Sequence, residues 1–287
     1  MSPDVCYEKV YLRRKIPFLL TQPKKKTSGK MRVALQISGE YRCLHLTVKS
    51  FMDNLVGSLQ EKGYTEIFVF SHTWDRQETS MGTFPFEGRG LWHLTMPVYS
   101  NEVGKNLYKP ISSMTEKLED LPFLQGRSRI LCMYYSIYMA NELRKKFEEE
   151  NDISFDLVVR YRTDLVLEDP LLKDMPLNEP SFLVIPKSTI VKTCDGPFED
   201  GDLAHICDYI AYGTPDKMNI YCSTFLTWLP QPQTPIGESC LAIHLRMNGL
   251  RATRKPIAFY LVEGNGMKRG MVMRSDFVET TTPPPTA

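Results

Sequence analysis

Short apolar runs rich in β-branched residues alternate along this chain with longer stretches whose apolar positions recur every three to four residues, which predicts strands exchanging with helices. Arg32-Val33-Ala34-Leu35-Gln36-Ile37 stops at Ser38-Gly39 and is followed by Leu44, Val48, Phe51, Met52 and Leu55 at helical spacing. Glu66-Ile67-Phe68-Val69-Phe70-Ser71 reads as a second buried strand, closed by the polar run His72-Thr73-Trp74-Asp75. A right-handed crossover would lay these two strands parallel in one sheet. Residues 76–126 read as loop-rich, with a strand near Leu94 to Tyr99.

Arg127 to Glu150 predicts a long helix with Ile130, Tyr134, Ile137, Tyr138 and Asn141 on its inner stripe; Arg144-Lys145-Lys146 and Glu148-Glu149-Glu150 are expected in solvent. Asp156-Leu157-Val158-Val159-Arg160 is the next strand, and its continuation carries Arg160, Arg162 and Asp164 to the carboxyl end, where open α/β sheets bind ligands. Ser181 to Ile185 forms another strand, Lys192 to Asp202 a polar loop, and Cys207 to Tyr212 a strand closing at Gly213. Thr214-Pro215-Asp216 opens a helix running to Trp228, with proline at its favoured first-turn position. Pro235-Ile236-Gly237-Glu238 opens the last helix, which Gly249 ends as a left-handed cap before a strand from Ile257 to Val262. Residues 1–30 read as an N-terminal arm, 31–278 as one α/β domain, and 279–287 as a Thr/Pro-rich tail too polar to order itself.

At 287 residues and 42% apolar content the chain can bury its own core without disulfide support. A net charge of +1 provides no broad cationic face, which argues against nucleic acid as a partner. Seven scattered cysteines, none spaced C-x-x-C, indicate neither a zinc knuckle nor a disulfide framework and point to a reducing, cytoplasmic setting. The apolar run Ile16 to Leu20, broken by Pro17, falls short of a signal segment or of a span of about 20 residues, so no transmembrane segment is expected.

Chemistry concentrates in Arg160-Tyr161-Arg162-Thr163-Asp164, where alternation puts two guanidiniums and a carboxylate on one face. Such a face suits a diphosphate accompanied by Mn²⁺ or Mg²⁺, since arginine forks match phosphate oxygens and hard cations take carboxylate oxygen. An ion pair at a sheet edge is the other reading, and the residues alone leave both open. Ser38 to Arg42 forms either an ordinary strand-to-helix turn or a place where backbone approaches a ligand with Arg42 reaching phosphate; it lacks the P-loop pattern. Asp75 is a candidate for the ribose or base, or a turn cap, and Trp74 beside it is expected in the core. Asp200-Gly201-Asp202 is acid-x-acid in a polar loop with no buried strand before it, and is expected to be solvated.

Five segments together resemble a known group. They are Met31 to Asp75, Tyr134-Tyr135-Ser136, Asp156 to Asp164, Asp208-Tyr209-Ile210-Ala211-Tyr212-Gly213, and Gly237-Glu238-Ser239 leading into His244-Leu245 and Asn248-Gly249. In that order they resemble bacterial and giant-virus sugar transferases related to the WavE-type lipopolysaccharide enzymes, and among these the chlorella-virus xylosyltransferases. The resemblance implies a GT-A like, Rossmann-type α/β fold with a mixed, mainly parallel sheet flanked by helices. It implies transfer of a sugar from a nucleotide-sugar donor, UDP-xylose being the suggested one, to a glycan acceptor with a divalent cation.

Carried onto this chain, the resemblance places Ser38, Gly39, Arg42, Asp75, Tyr135, Arg160 and Arg162 at the nucleotide-sugar, and Asp164 and His244 at the metal, although a lone histidine on a helix more often has a structural role. Where such enzymes have Asp-x-Asp, this chain has Arg162-Thr163-Asp164 and keeps one carboxylate. An inverting transfer also needs a carboxylate to take the acceptor's proton, and Glu238 and Asp208 are the candidates. Glu238 also reads as an ordinary helix-start acid. Asp208 opens an apolar strand, an expensive place for an unpaired charge. The alternative to an enzyme is a non-catalytic carbohydrate- or nucleotide-sugar-binding protein of the same fold.

Overall fold

The computed structural model describes residues 29, 31–41, 43–75, 81–86, 89–95, 100–173, 182–186, 206–231, 237–255, 257–262 and 268–269. Its strands are β1 (Met31–Ser38), β2 (Tyr64–Trp74), β3 (Met81–Phe86), β4 (Arg89–Thr95), β5 (Ser112–Glu116), β6 (Leu157–Arg162), β7 (Leu165–Leu167), β8 (Leu183–Pro186), β9 (Ile210–Gly213), β10 (Thr253–Lys255), β11 (Phe259–Val262) and β12 (Lys268–Arg269). Seven of them form the main sheet in the order β10-β8-β9-β6-β1-β2-β5. Only β9 runs against its neighbours there. The sheet is thus mixed and mainly parallel, and β1, near its middle, is an almost unbroken apolar run because both of its faces are covered. β12-β11-β7 make a small antiparallel sheet, and β3 pairs with β4 in a separate hairpin.

The helices are α1 (Leu44–Ser50), which continues through a π-helical stretch, Phe51–Gly57, into α2 (Ser58–Glu61), then α3 (Asn101–Tyr108), α4 (Arg129–Asn151), α5 (Pro215–Cys222), α6 (Thr224–Trp228) and α7 (Gly237–Met247). Ser128 caps α4 by accepting from the Leu131 amide at 3.2 Å. Gly249, at φ +62°, stops α7 while the Leu250 amide reaches back to the Leu245 carbonyl at 2.9 Å. Odd positions of β1 and β6 (Val33, Leu35, Ile37, Leu157, Val159, Tyr161) pack with Leu44, Phe51 and Leu55 on one face. Even positions (Ala34, Val158) pack against α4 to α7 on the other. No helix among the described residues is long and apolar enough to cross a membrane.

Three expectations change, and others fall outside the described residues. The helix expected from Thr214 to Trp228 is two, because Ser223 (φ −80°, ψ 5°) leaves the helical region between α5 and α6. β5 was not visible in a segment read as loop, since Ser-Ser-Met-Thr-Glu carries no apolar alternation. Arg144, expected in solvent, is fully buried. The strand expected near Leu94 to Tyr99 is met by β4 only through Thr95, and residues 96–99, the loop from Lys192 to Asp202 with its acid-x-acid, and the tail 279–287 lie outside the described residues, as does the arm 1–30 apart from Gly29.

One packing contact fixes where the chain turns after β1. The Tyr41 ring lies so close to Gly104 of α3 that a Cβ there would come within 2.2–2.4 Å of three ring carbons. The ring has no freedom to yield, being buried, stacked on Tyr108 at 5.8 Å and tied through its hydroxyl to Ser71 at 3.3 Å. Glycine to alanine inside a helix ordinarily gains about 0.5–1 kcal/mol. Here overpacking reverses the sign, and Gly104→Ala is expected to lose about 1–3 kcal/mol in urea unfolding. Tyr41→Leu in the same chain should recover part of that loss.

Candidate functional site

The strand ends of the main sheet define one edge. Ser38, the last residue of β1, is level with His72 on β2 and with Arg162 at the end of β6. β9 runs the other way, with Ile210 opposite Tyr161, so the chain entering β9 brings Asp208 and Tyr209 to the same edge. This is the margin at which α/β sheets hold ligands.

Gly39 turns the chain away from β1 at φ +104°, a conformation open to glycine and strained for other residues. Its N–H is shared between the His72 carbonyl (3.0 Å) and the Ser136 hydroxyl oxygen (2.9 Å). Ser136, on α4, also lies 2.8 Å from His72 Nδ1, while His72 Nε2 is 2.9 Å from the Glu116 carboxylate, which accepts the Tyr135 hydroxyl at 2.7 Å. The segments around Ser38, His72 and Tyr135 are therefore one buried hydrogen-bonded unit. No atom of the described residues lies within 4 Å of the place a Cβ would take on Gly39, so the turn has an open side. Beyond it, the Thr163 hydroxyl donates to the Glu40 carbonyl (2.5 Å) and the Thr47 hydroxyl to the Thr163 carbonyl (2.9 Å), fixing the β1 turn to the end of β6.

At that end Arg162 clasps Asp164 with two parallel bonds, Nε to Oδ1 at 2.6 Å and Nη2 to Oδ2 at 3.0 Å. The Asp164 side chain is 2% exposed and that of Arg162 25%, so the guanidinium covers the carboxylate from solvent. The Tyr209 ring lies under the guanidinium at 5.1 Å. Burial opposes the charge on Arg162, but Asp164, with Asp208 and Tyr209, holds its pKa above the ordinary arginine value. Arg160 does not join this pair: buried at 1% exposure, it donates to the Tyr209 carbonyl. Its Nε and the Tyr221 hydroxyl are buried without a hydrogen-bond partner among the described residues. Burial raises the Tyr221 pKa, Arg160 draws it down, and Asp208 pushes it up, which places these groups in one electrostatic neighbourhood.

Asp208 is 4% exposed, and its Oδ2 lies 3.0 Å from where a Cβ on Gly237 would be, against the first residue of α7. The N-terminus of a helix favours negative charge. Tyr134 holds that helix start by donating to the Gly237 carbonyl at 2.6 Å. Asp75 is exposed, with Lys117 at 4.0 Å, and Trp74 packs in the core against His72 and Tyr135, as expected of it. Arg42 and the Glu238 side chain lie outside the described residues.

The metal expectation does not fit what is described. A hard cation needs oxygen or nitrogen ligands with free lone pairs. Arg162 takes a lone pair on each Asp164 oxygen, and the side chain, 2% exposed, is covered from solvent. His244 is buried inside α7, its Nε2 donating to the Ile220 carbonyl at 2.6 Å and its Nδ1 2.7 Å from the Thr227 hydroxyl, so it braces α7 against α5 and α6. Burial lowers its pKa, against the opposing Ile220 bond, so the neutral ring is favoured. No cluster of three His, Cys, Asp or Glu able to hold a metal occurs among the described residues. Sequence reasoning missed Tyr209, which meets both arginines, and the Ser136, His72 and Glu116 links. A Tyr next to a candidate Asp, and a His at a strand end, were the only signals.

No protein-family profile matches the chain, and no curated protein matches it in sequence. Among solved structures the chain is similar to the galactosyltransferase LgtC in complex with donor and acceptor sugar analogues, at 12% identity and a TM-score of 0.38, over 75% of this chain and 70% of that one. It is also similar to a glycosyltransferase involved in glycosylation of the major capsid of PBCV-1, at 9% identity and a TM-score of 0.37, over 78% of this chain and 82% of that one.

Proposed function

We propose that this chain is a glycosyltransferase that moves a sugar from a nucleotide-sugar donor to a glycan acceptor at the carboxyl edge of the main sheet. The observation that carries the reading is the Arg162–Asp164 pair, a fixed guanidinium on a partly exposed side chain at the sheet edge that also holds the open Gly39 turn and Asp208. Arg162 would hold the donor's diphosphate, since an arginine fork matches phosphate oxygens and keeps its charge at any working pH. Asp208 or Glu238 would take the proton from the acceptor hydroxyl as that oxygen attacks the anomeric carbon. The sugar–phosphate bond breaks, its electron pair stays with the nucleoside diphosphate, and inversion follows from direct displacement. Tyr135 and Arg160 support the edge from beneath, and Asp75 is left as the group for ribose or base. UDP-xylose is the first donor to try, on the resemblance to chlorella-virus enzymes.

A donor screen tests this reading. UDP-, GDP- and TDP-sugars are added to the whole chain, and both the melting temperature and the release of free nucleoside diphosphate are measured. A bound donor at about 100 times its Kd stabilises by about 2.7 kcal/mol. For a chain of this size that corresponds to a rise of about 4–5 °C. Stabilisation with turnover supports the transferase. Stabilisation without release, with any acceptor glycan supplied, favours the non-catalytic binder, and no response to any nucleotide removes both.

A further inference from the structure

We propose that the departing diphosphate is held by Arg162 without a divalent cation, and that Asp164 is a positioning residue for that guanidinium rather than a metal ligand. This rests on the glycosyl-transfer reading above. A guanidinium has five N–H groups, and the clasp uses one on Nε and one on Nη2. Three remain, both of those on Nη1 among them, with no partner among the described residues. The carboxylate is in the opposite condition, since each oxygen already accepts from the guanidinium and the group, 2% exposed, is covered. A phosphate arriving from solvent meets donors that no described residue takes. A cation arriving by the same route meets a positive charge and would have to break a two-bond clasp before it reached oxygen.

The surroundings hold the clasp in place. Thr163, between its two members, is fixed by Glu40 and Thr47, and the Asp164 carbonyl accepts from the Val262 amide at 3.0 Å. The Tyr209 ring supports the guanidinium from another side. The remaining N–H groups therefore have a set direction before any ligand binds, which is what stabilising a developing charge requires. In the transfer, the bond from the anomeric carbon to the phosphate oxygen breaks while the acceptor oxygen forms its new bond. The electron pair goes to the diphosphate, the acceptor's proton to the base, and the added negative charge is met by the Arg162 N–H groups. No oxidant, reductant or further reactant is needed.

The test is calorimetric binding of UDP, GDP and TDP to the full chain, in EDTA and again with Mn²⁺. Expected is a Kd for the preferred diphosphate that agrees within about threefold between the two conditions, and that rises on the order of tenfold or more in Arg162→Gln. Arg162→Lys should recover little, because a point charge lacks the fork. Asp164→Asn should weaken binding in EDTA, and a purely structural role for Asp164 would lower the melting temperature without moving that Kd. Addition of guanidinium ion at low millimolar concentration to Arg162→Gln should restore part of the affinity. Should Asp164→Asn fail to fold, the exposed Arg162 variants carry the test. Binding that needs Mn²⁺, with that Mn²⁺-dependent binding lost in Asp164→Asn, overturns this inference and leaves the transferase reading intact. No binding of any diphosphate in either condition overturns both.

Discussion

Asp208→Asn is expected to lower turnover by about 10²–10⁴-fold while the affinity for nucleoside diphosphate stays within about threefold, measured as initial rate against calorimetric Kd. The substitution preserves volume and removes the ability to take a proton. It suits this residue because the carboxylate lies at the start of α7, against Gly237, where negative charge is favoured, and beside Arg162, whose charge it helps to hold. If the Kd instead rises tenfold with turnover falling in step, Asp208 orients Arg162 and the base is Glu238. A rate unchanged in both respects removes Asp208 from the chemistry.

The largest stability effect should come from Arg144→Ala, far from the sheet edge. Arg144 is fully buried and bonds Asn141 Oδ1 from Nε (3.2 Å) and Nη2 (3.1 Å), Asn219 from Nη2, and Glu148 from Nη1. Asn141 in turn accepts from Gln36 of β1 at 2.7 Å, so the network ties α4 to α5 and to the middle of the sheet. Removing one partner of a buried ion pair costs about 3–5 kcal/mol, because the other charge is left without compensation. A loss of that size is a large part of a typical folding free energy of about 5–15 kcal/mol, and the urea midpoint should fall accordingly. Arg144→Met with Glu148→Gln should recover most of it, since the pair's net contribution is small once both charges are gone. A single substitution tolerated within 1 kcal/mol would show that water reaches the pair.

The same residue shows where reading the chain stopped. Tyr134, Ile137 and Asn141 were seen as an inner stripe, and Arg144 and Glu148 continue it at intervals of three and four, yet their charge put them outside. Periodicity names the face of a helix, but only the partners on other elements decide whether a charge can live there. The glycine turn after β1 was legible as a turn. That its amide is held by Ser136, 97 residues on, was not, because a hydrogen bond across that separation leaves no local pattern.

By itself the sequence determined β1, β2, β6, β8, β9 and β11, the long helix α4 and the helix α7, the left-handed stop at Gly249, and the placing of Arg162 and Asp164 at the end of one strand. Those follow from short-range effects: side-chain periodicity, proline and glycine backbone preferences, and the cost of burying polar groups. Tertiary structure alone decided that Arg162 turns onto Asp164 instead of both facing a ligand, that Arg160 is buried against the Tyr209 carbonyl, and that His244 braces three helices. Each of those depends on which opposite charge, carbonyl or ring lies within about 3–5 Å, and that is set by how strands distant in sequence are brought side by side.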